Sequence, residues 1–275
     1  MDELIIEAGR AEAHYWRDLW RYRDLFYFLA WRDLLVRYKQ TVFGVLWALL
    51  RPFVTMVIFV AIFSRIAGLP SDGVPYAILV LGGMLPWNFF ASSLSESSNS
   101  LVLNANLITK IYFPRIILPA SSVIVAMVDF AITLVMMALV MAWYQYVPPW
   151  RILLLPVFVI LALVSALGPG LIATALNVKY RDFRFVIPFV VQFGLYVSPV
   201  GFKSSLIGDK LGPVARLVYS LNPMVGVIDG FRWCIGVEPT LHVGALAISV
   251  LTSAVLLWLG VRFFRNTEKG FADVI

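Results

Sequence analysis

The sequence is poor in the residues that build most enzyme and metal sites. It holds one cysteine, Cys234, so no disulfide can close within the chain. Its two histidines, His14 and His242, lie far apart, and one cysteine with two distant histidines makes no zinc pattern. No glycine is followed by lysine, which excludes a GxxxxGK[ST] phosphate loop and with it P-loop ATP hydrolysis by this chain. HExxH and GxSxG are absent too. The first residues carry Asp2, Glu3, Glu7 and Glu12 where a secretory signal would have a basic start and an apolar run, so no cleaved leader is expected. Charged residues make up 14% of the chain, against about 25% in soluble domains.

What replaces charge is hydrocarbon. The 275 residues are 61% hydrophobic, with a mean hydropathy of +0.86. A helix needs about 20 apolar residues to cross a bilayer. Six stretches approach that length: 43–69, 76–97, 116–143, 152–178, 185–202 and 242–264. The fifth is the shortest. An all-α integral membrane protein follows, with an expected division into an N-terminal segment 1–42, a six-helix membrane domain 43–264 and a tail 265–275.

The net charge of +6 fits topology rather than nucleic-acid binding. With the N-terminus inside, the inner segments and the start of the first span hold sixteen of the Lys and Arg residues and the outer segments six, which together are the 22 in the sequence. This asymmetry places both termini in the cytoplasm.

Ahead of the first stretch, residues 14–40 alternate aromatic and charged side chains. At helical spacing Trp16, Trp20, Tyr27, Trp31, Leu34 and Tyr38 fall within an arc of about 60°. This reads as an amphipathic helix, broken in two or continuous, lying at the membrane interface. Residues 1–44 hold seven basic and seven acidic side chains, so aromatic burial rather than charge must carry the attraction. Asp129 stands near the middle of the third stretch, where a charge costs about 2.5–3.5 kcal/mol. It must be neutralised by a neighbour or serve transport. Glu96 and Arg51 lie nearer the inner ends, where long side chains reach water. The run from Ser92 to Ser100 suits either a helix–helix contact or a wet conduit. Gly82-Gly83 and Gly168-Pro169-Gly170 suit close helix packing more than hinges. Between the fifth and sixth stretches, apolar runs too short to span flank Asn222-Pro223 and suit re-entrant or interfacial helices. Asp229 and Arg232 are three residues apart and share a helix face, where they could pair locally or across a dimer.

Four segments carry a resemblance: RYKQT (37–41) with Gly44, Leu46-Trp47 and Pro52; NANLITKIYFPRIILP (104–119); LNVKYRDFRFVIPFVVQFGLYVSPVGF (176–202); and LNPMVGVIDGFRW (221–233). In this order and spacing, from about Tyr22 to the C-terminus, the chain resembles the permease subunit of type-2 ABC exporters, in the branch that exports lipid-linked polysaccharides such as O-antigen, capsule or teichoic acid. The resemblance implies six spans per subunit, a homodimer, two copies of a separate ABC ATPase that holds ATP and Mg, a polyprenyl-diphosphate-linked glycan as substrate, and placement in the bacterial inner membrane. It implies no cofactor or metal in this chain. Segment 104–115 becomes the element that docks on the ATPase, with Leu107, Ile108, Ile111, Tyr112 and Phe113 as an apolar plug, Lys110 and Arg115 as rim charge, and Asn104 and Pro114 at its ends. Pro199, Gly201, Asn222, Pro223, Asp229 and Arg232 fall in the family's periplasmic gate. Tyr76, Trp87, Phe89, Phe90, Ser93, Glu96 and Tyr196 are conduit candidates, although core packing suits each alone. The departures are small: Phe202 stands where some relatives carry tyrosine, and no added glycan-binding domain is expected after the sixth stretch. Export of a drug or lipid, a membrane glycosyltransferase and a scaffold are the rival readings.

Overall fold

The computed structural model describes residues 15–39, 44–68, 71, 73–180 and 182–271. These form helices α1 (Tyr15–Arg21), α2 (Arg23–Lys39), α3 (Gly44–Phe59, continued as a wider π-helix over Val60–Ile66), α4 (Tyr76–Leu103), α5 (Ala105–Ile108), α6 (Ile117–Trp143), α7 (Leu155–Lys179), α8 (Phe183–Val197), α9 (Ser205–Leu211), α10 (Pro213–Tyr219), α11 (Pro223–Cys234) and α12 (Val243–Thr267). No strand occurs among the described residues. Positions 43 and 69, the expected limits of the first stretch, and the side chain of Trp16 lie outside them.

Five segments are long and apolar enough to cross a bilayer: Leu46–Ile66, Tyr76–Leu103, Ile117–Trp143, Trp150–Lys179 and Val243–Thr267. The chain is therefore a multi-pass membrane protein. The fifth expected stretch behaves differently. Its helix, α8, has 15 residues and so rises about 22 Å, short of the ~30 Å hydrocarbon core. Ser198 is extended (φ −89°, ψ 151°), as a residue before proline prefers. Pro199, Val200 and Gly201 then turn into the protein and are buried.

α4 is the hub. It packs against α6 and α7, and α7 packs against α12. It also runs six residues beyond its expected end, because the serine run stays helical. Ser97, Ser98 and Ser100 donate back to the carbonyls of Ser93, Ser95 and Ser97. The outer side of that run is a helix contact. Thr174 Oγ1 on α7 donates to Ser97 O (2.8 Å) and Asn177 Nδ2 donates to Ser98 O (2.9 Å). A Cβ on Gly170 would stand 2.5 Å from Ser97 Oγ. Two residues earlier α7 presents Gly168 to α12, where a Cβ on Gly260 would meet Gly168 O at 2.3 Å. Small residues let backbones touch where lipid supplies no hydrophobic drive. The Gly-Pro-Gly run thus serves packing on two sides.

Between α8 and α12 the chain builds a cap of short helices. Gly212 (φ +90°) turns α9 into α10, a conformation glycine adopts without steric cost. Asn222 caps α11, its side chain accepting from Met224 N (3.0 Å) with Pro223 in the first turn. The break expected at Asn222-Pro223 is there, with one more short helix, α9, ahead of it.

Candidate functional site

Both ends of the described chain meet at one end of the bundle, against the link from α4 to α6. α4 stops at Asn104, whose side chain donates to Ser100 O (2.8 Å) and accepts from Arg32 Nη2 (2.8 Å). One turn of helix, α5, follows, and Pro114 then leads into α6. The apolar residues of this link divide by face. Ile108 (7% exposed) and Phe113 (4%) point inward. They pack with Tyr15, Leu29, Leu101, Val178, Phe264 and Phe271 in a core of their own, with Leu107 at its edge. Ile111 (52%) and Tyr112 (51%) point outward beside exposed Lys110. The sequence grouped all five as one plug. A link of turns shows alternate faces, so only two of the five project fully.

The tail holds this link from behind. Arg115 Nη1 donates to Glu268 O, and its guanidinium stands over the Phe271 ring at 5.9 Å. Tyr15 OH donates to Glu268 Oε2 (3.1 Å), and Arg265 covers the Tyr15 ring at 4.7 Å. Burial first, then the Glu268 carboxylate, raise the Tyr15 hydroxyl above its ordinary value, which keeps it a donor.

α2 runs alongside α4 and α6. Arg32 meets Asn104, and five residues later Arg37 meets Glu96. α2 therefore advances about 8 Å while its partner on α4 shifts by about 12 Å. It descends beside α4 and α6, with Leu29 and Ala30 buried. The aromatic face remains outside: Trp20 and Tyr27 are each 72% exposed and Trp31 53%.

At the tip of α2 stands a charge network spanning three helices. Arg37 Nη2 pairs with Asp129 Oδ2 (2.6 Å) and Arg37 Nη1 with Glu96 Oε1 (2.8 Å), while Tyr38 OH donates to Asp129 Oδ1. One guanidinium thus pairs with two carboxylates that the sequence left without partners. Beside the network opens a cavity of about 550 Å³, walled by Trp47, Pro52, Phe89 and Phe130 and carrying Arg37, Arg51, Thr55, Asn88, Ser92 and Asp129.

The cap at the other end is organised by Arg232, which is fully buried. Its Nε donates to Leu79 O (3.2 Å), Nη1 to Phe202 O (2.7 Å) and Nη2 to Val200 O (2.7 Å). Gly83 makes room, since a Cβ there would stand 2.7 Å from both Arg232 Nη2 and Val200 O. Local pairing of Asp229 with Arg232 is not what forms. Asp229 accepts from Ser204 Oγ, because Arg232 points its fork into α4 and the turn after α8. The turn is held further by Tyr76 OH donating to Gly201 O (2.7 Å) and Asn222 Nδ2 to Ser198 Oγ (3.0 Å).

The conduit candidates are dispersed. Tyr76, Trp87, Phe89 and Ser93 are buried in the core, because α4 is covered on nearly every side. Trp87 fits against Gly194 of α8 and beside Phe90 (5.4 Å). Glu96 belongs to the Arg37 network, and Tyr196 is exposed on α8.

Residues 24–236, which include the α4–α6 link and the cap, match the ABC-2 type transporter family. The chain belongs to that family. Among its curated relatives, this permease is 30% identical over 260 residues to the O-antigen export system permease protein RfbA of Myxococcus xanthus, covering 94% of this chain and 98% of that one. It is 27% identical over 256 residues to a Klebsiella pneumoniae protein of the same name (92% and 95% covered). It is 22% identical over 240 residues to the polysialic acid transport protein KpsM of Escherichia coli (86% and 91% covered).

Proposed function

We propose that this chain is the permease half of an inner-membrane exporter of lipid-linked polysaccharide of the O-antigen kind, driven by two copies of a separate ABC ATPase that hold the ATP and Mg. The observation that carries the reading is the α4–α6 link: two apolar side chains, Ile111 and Tyr112, project from a segment braced on its inner side by α1, α2 and the tail. A projecting apolar pair ringed by Lys110 and Arg115 suits docking on another protein. Bracing suits force transfer, because a push on the link reaches α4, α6 and α12 together. Full-length similarity to permeases named for O-antigen and polysialic acid transport supports the cargo class.

In this arrangement both termini and the link face the cytoplasm. α8 acts as a sixth crossing with the help of the turn after it. The conduit forms between two copies of the chain, with the apolar outer faces of α3 and α8 turned to the partner copy or to lipid. The α9–α11 cap is the periplasmic gate, dipping back from the outer surface, and Arg232 fixes its hinge to α4. The aromatic face of α1 and α2 rests against lipid at the inner leaflet, where a polyprenyl-diphosphate-linked glycan arrives. Deletion of the gene is expected to remove surface polysaccharide while drug resistance is unchanged. The purified chain is expected to split no ATP until a co-expressed ABC ATPase is added. Glycan transfer by the chain alone, or loss of drug resistance with intact polysaccharide, would overturn the reading.

A further inference from the structure

α12 is joined to both ends of the molecule by specific bonds. At its inner end the helix runs on into Glu268 and Phe271. Arg115 of the α4–α6 link donates to Glu268 O and stands over the Phe271 ring. Phe271 packs edge-on against Phe264 of α12 (5.5 Å), and Tyr15 OH donates to Glu268 Oε2 (3.1 Å). Some 18 residues back from Thr267, about 27 Å along the axis, Ser249 is fully buried in the cap. Its Oγ donates to Ser220 O (2.9 Å) at the end of α10 and accepts from Gly226 N (3.1 Å) on α11. One hydroxyl thus straddles the Asn222-Pro223 break. Gly226 admits it, since a Cβ there would stand 2.5 Å from Ser249 Cβ. Between the two joints the buried face of α12 is built of small residues, Ser249, Ser253 and Gly260, while Leu251, Val255 and Trp258 are exposed on the other side. Small side chains on one face and none interlocked on the other permit a helix to slide. α4, by contrast, is enclosed by α6, α7, α8 and α11 and bonded to α7 through Ser97 and Ser98.

We propose that α12 carries movement of the α4–α6 link to the cap, with Arg115, Glu268 and Phe271 as its inner joint and Ser249 as its outer one. The proposal rests on the export reading, in which the link receives the ATPase and the cap is the gate. A displacement of the link enters α12 through the Arg115 guanidinium, which grips the tail by a main-chain carbonyl and a ring face. The helix then shifts against α7 as one body, in the manner of shear between packed helices. At the far end Arg232 fixes α11 to Leu79 of α4. Ser249 holds the same helix six residues earlier, at Gly226. α11 therefore has a fixed point and a driven point about 9 Å apart, and the end of α10 is bonded to the driven one. Arg115, Glu268, Phe271 and Ser249 are positioning residues in this scheme: they act through the cap.

The test uses the full chain with a co-expressed ABC ATPase in nanodiscs, carrying Cys234→Ser and Val218→Cys. An environment-sensitive fluorophore on position 218, which is exposed on α10, reports cap movement as an ATP-dependent emission change. Ser249→Ala and truncation after Thr267 are each expected to keep ATPase capture and ATP hydrolysis while reducing that change about threefold or more. Should the truncated chain not fold, Arg115→Ala replaces it, and Arg115→Lys is expected to restore part of the signal. Joints in series are not additive, so the two changes combined should reduce the signal no further than the stronger one alone. Thr174→Ala, which removes a bond between α4 and α7, should leave the signal intact. Each variant is first checked for a monodisperse elution peak. An undiminished signal in folded Ser249→Ala, additive losses in the double variant, or a loss in Thr174→Ala as large as in Ser249→Ala overturns the role of α12 and leaves the export reading standing. So does the absence of any ATP-dependent change at position 218 in a complex that exports polysaccharide. If the unaltered chain captures no ABC ATPase, the export reading falls and the role of α12 with it.

Discussion

Arg232 is buried and Arg37 half-buried, and their guanidinium groups are satisfied in opposite ways. Arg232 directs three donors to main-chain carbonyls of α4 and the turn after α8. Arg37 spends its charge on two side-chain carboxylates on α4 and α6. Carbonyl partners cannot be mutated away or exchanged for another ligand, so the Arg232 site behaves as part of the fold. Carboxylate partners can be replaced or re-paired, so the Arg37 site can respond to what enters the cavity beside it. The Arg232 anchor is built to hold one shape, and the inner network sits beside an open cavity.

The largest expected effect breaks the first member of this pair. Arg232→Ala leaves the Val200 and Phe202 carbonyls without this donor, each worth about 1–3 kcal/mol, and should abolish recovery of monodisperse protein in detergent. Arg232→Lys should recover only part, because a point ammonium does not reproduce the guanidinium fork. No second-site side-chain change should rescue either variant.

Arg37→Ala is expected to cost less. Losing one partner of a buried pair costs about 3–5 kcal/mol. Here the side chains are 20–41% exposed, so roughly 1–2 kcal/mol is expected after screening by solvent. Adding Glu96→Gln and Asp129→Asn should restore most of the lost Tm, the rescue that Arg232 cannot have.

Arg115 sharpens the comparison at a half-buried position. It repeats the carbonyl strategy on Glu268 O, but at the rim. Arg115→Ala should lower stability by about 1 kcal/mol, read as a small Tm shift with folded yield unchanged.

The smallest effect concerns pH. Glu238, just past α11, has one carboxylate oxygen buried without a hydrogen-bond partner, and burial raises its carboxyl above the ordinary 4.5. The folded state therefore holds this proton more tightly than the unfolded chain. The stabilisation is complete below pH 4.5 and is lost as pH rises from there through the raised value. Glu238→Gln should flatten this part of the pH–Tm profile and leave the protein slightly more stable at pH 7.

Much of this architecture was legible in the sequence, and the limits have physical causes. Apolar length marked α6, α7 and α12 within a few residues, because hydrocarbon thickness sets helix length, and it stopped six residues short on α4, where the serine run stays helical. It overran at α8, where Pro199 turns the chain inward before the apolar composition changes. The serine run left packing and a wet conduit open, and the choice between them lay on α7, in Thr174 and Asn177, far away in sequence. The partner of Asp129 was invisible for the same reason: Arg37 reaches it only because α2 descends into the bundle. The spacing of Asp229 and Arg232 suggested a pair. A guanidinium with carbonyls in reach had another use, and only the fold shows it. The two-faced α4–α6 link was likewise hidden, since turns carry no periodicity to tell Ile108 from Ile111.

The measurement closest to the central claim is capture of a co-expressed ABC ATPase by the tagged permease carrying Ile111→Asp, compared with Phe113→Ala. If the link is a docking element braced from within, Ile111→Asp keeps the wild-type Tm and loses the ATPase. Phe113→Ala then lowers Tm yet still captures the ATPase below its melting temperature. Full capture and unchanged ATP hydrolysis in folded Ile111→Asp and Tyr112→Ala would contradict it.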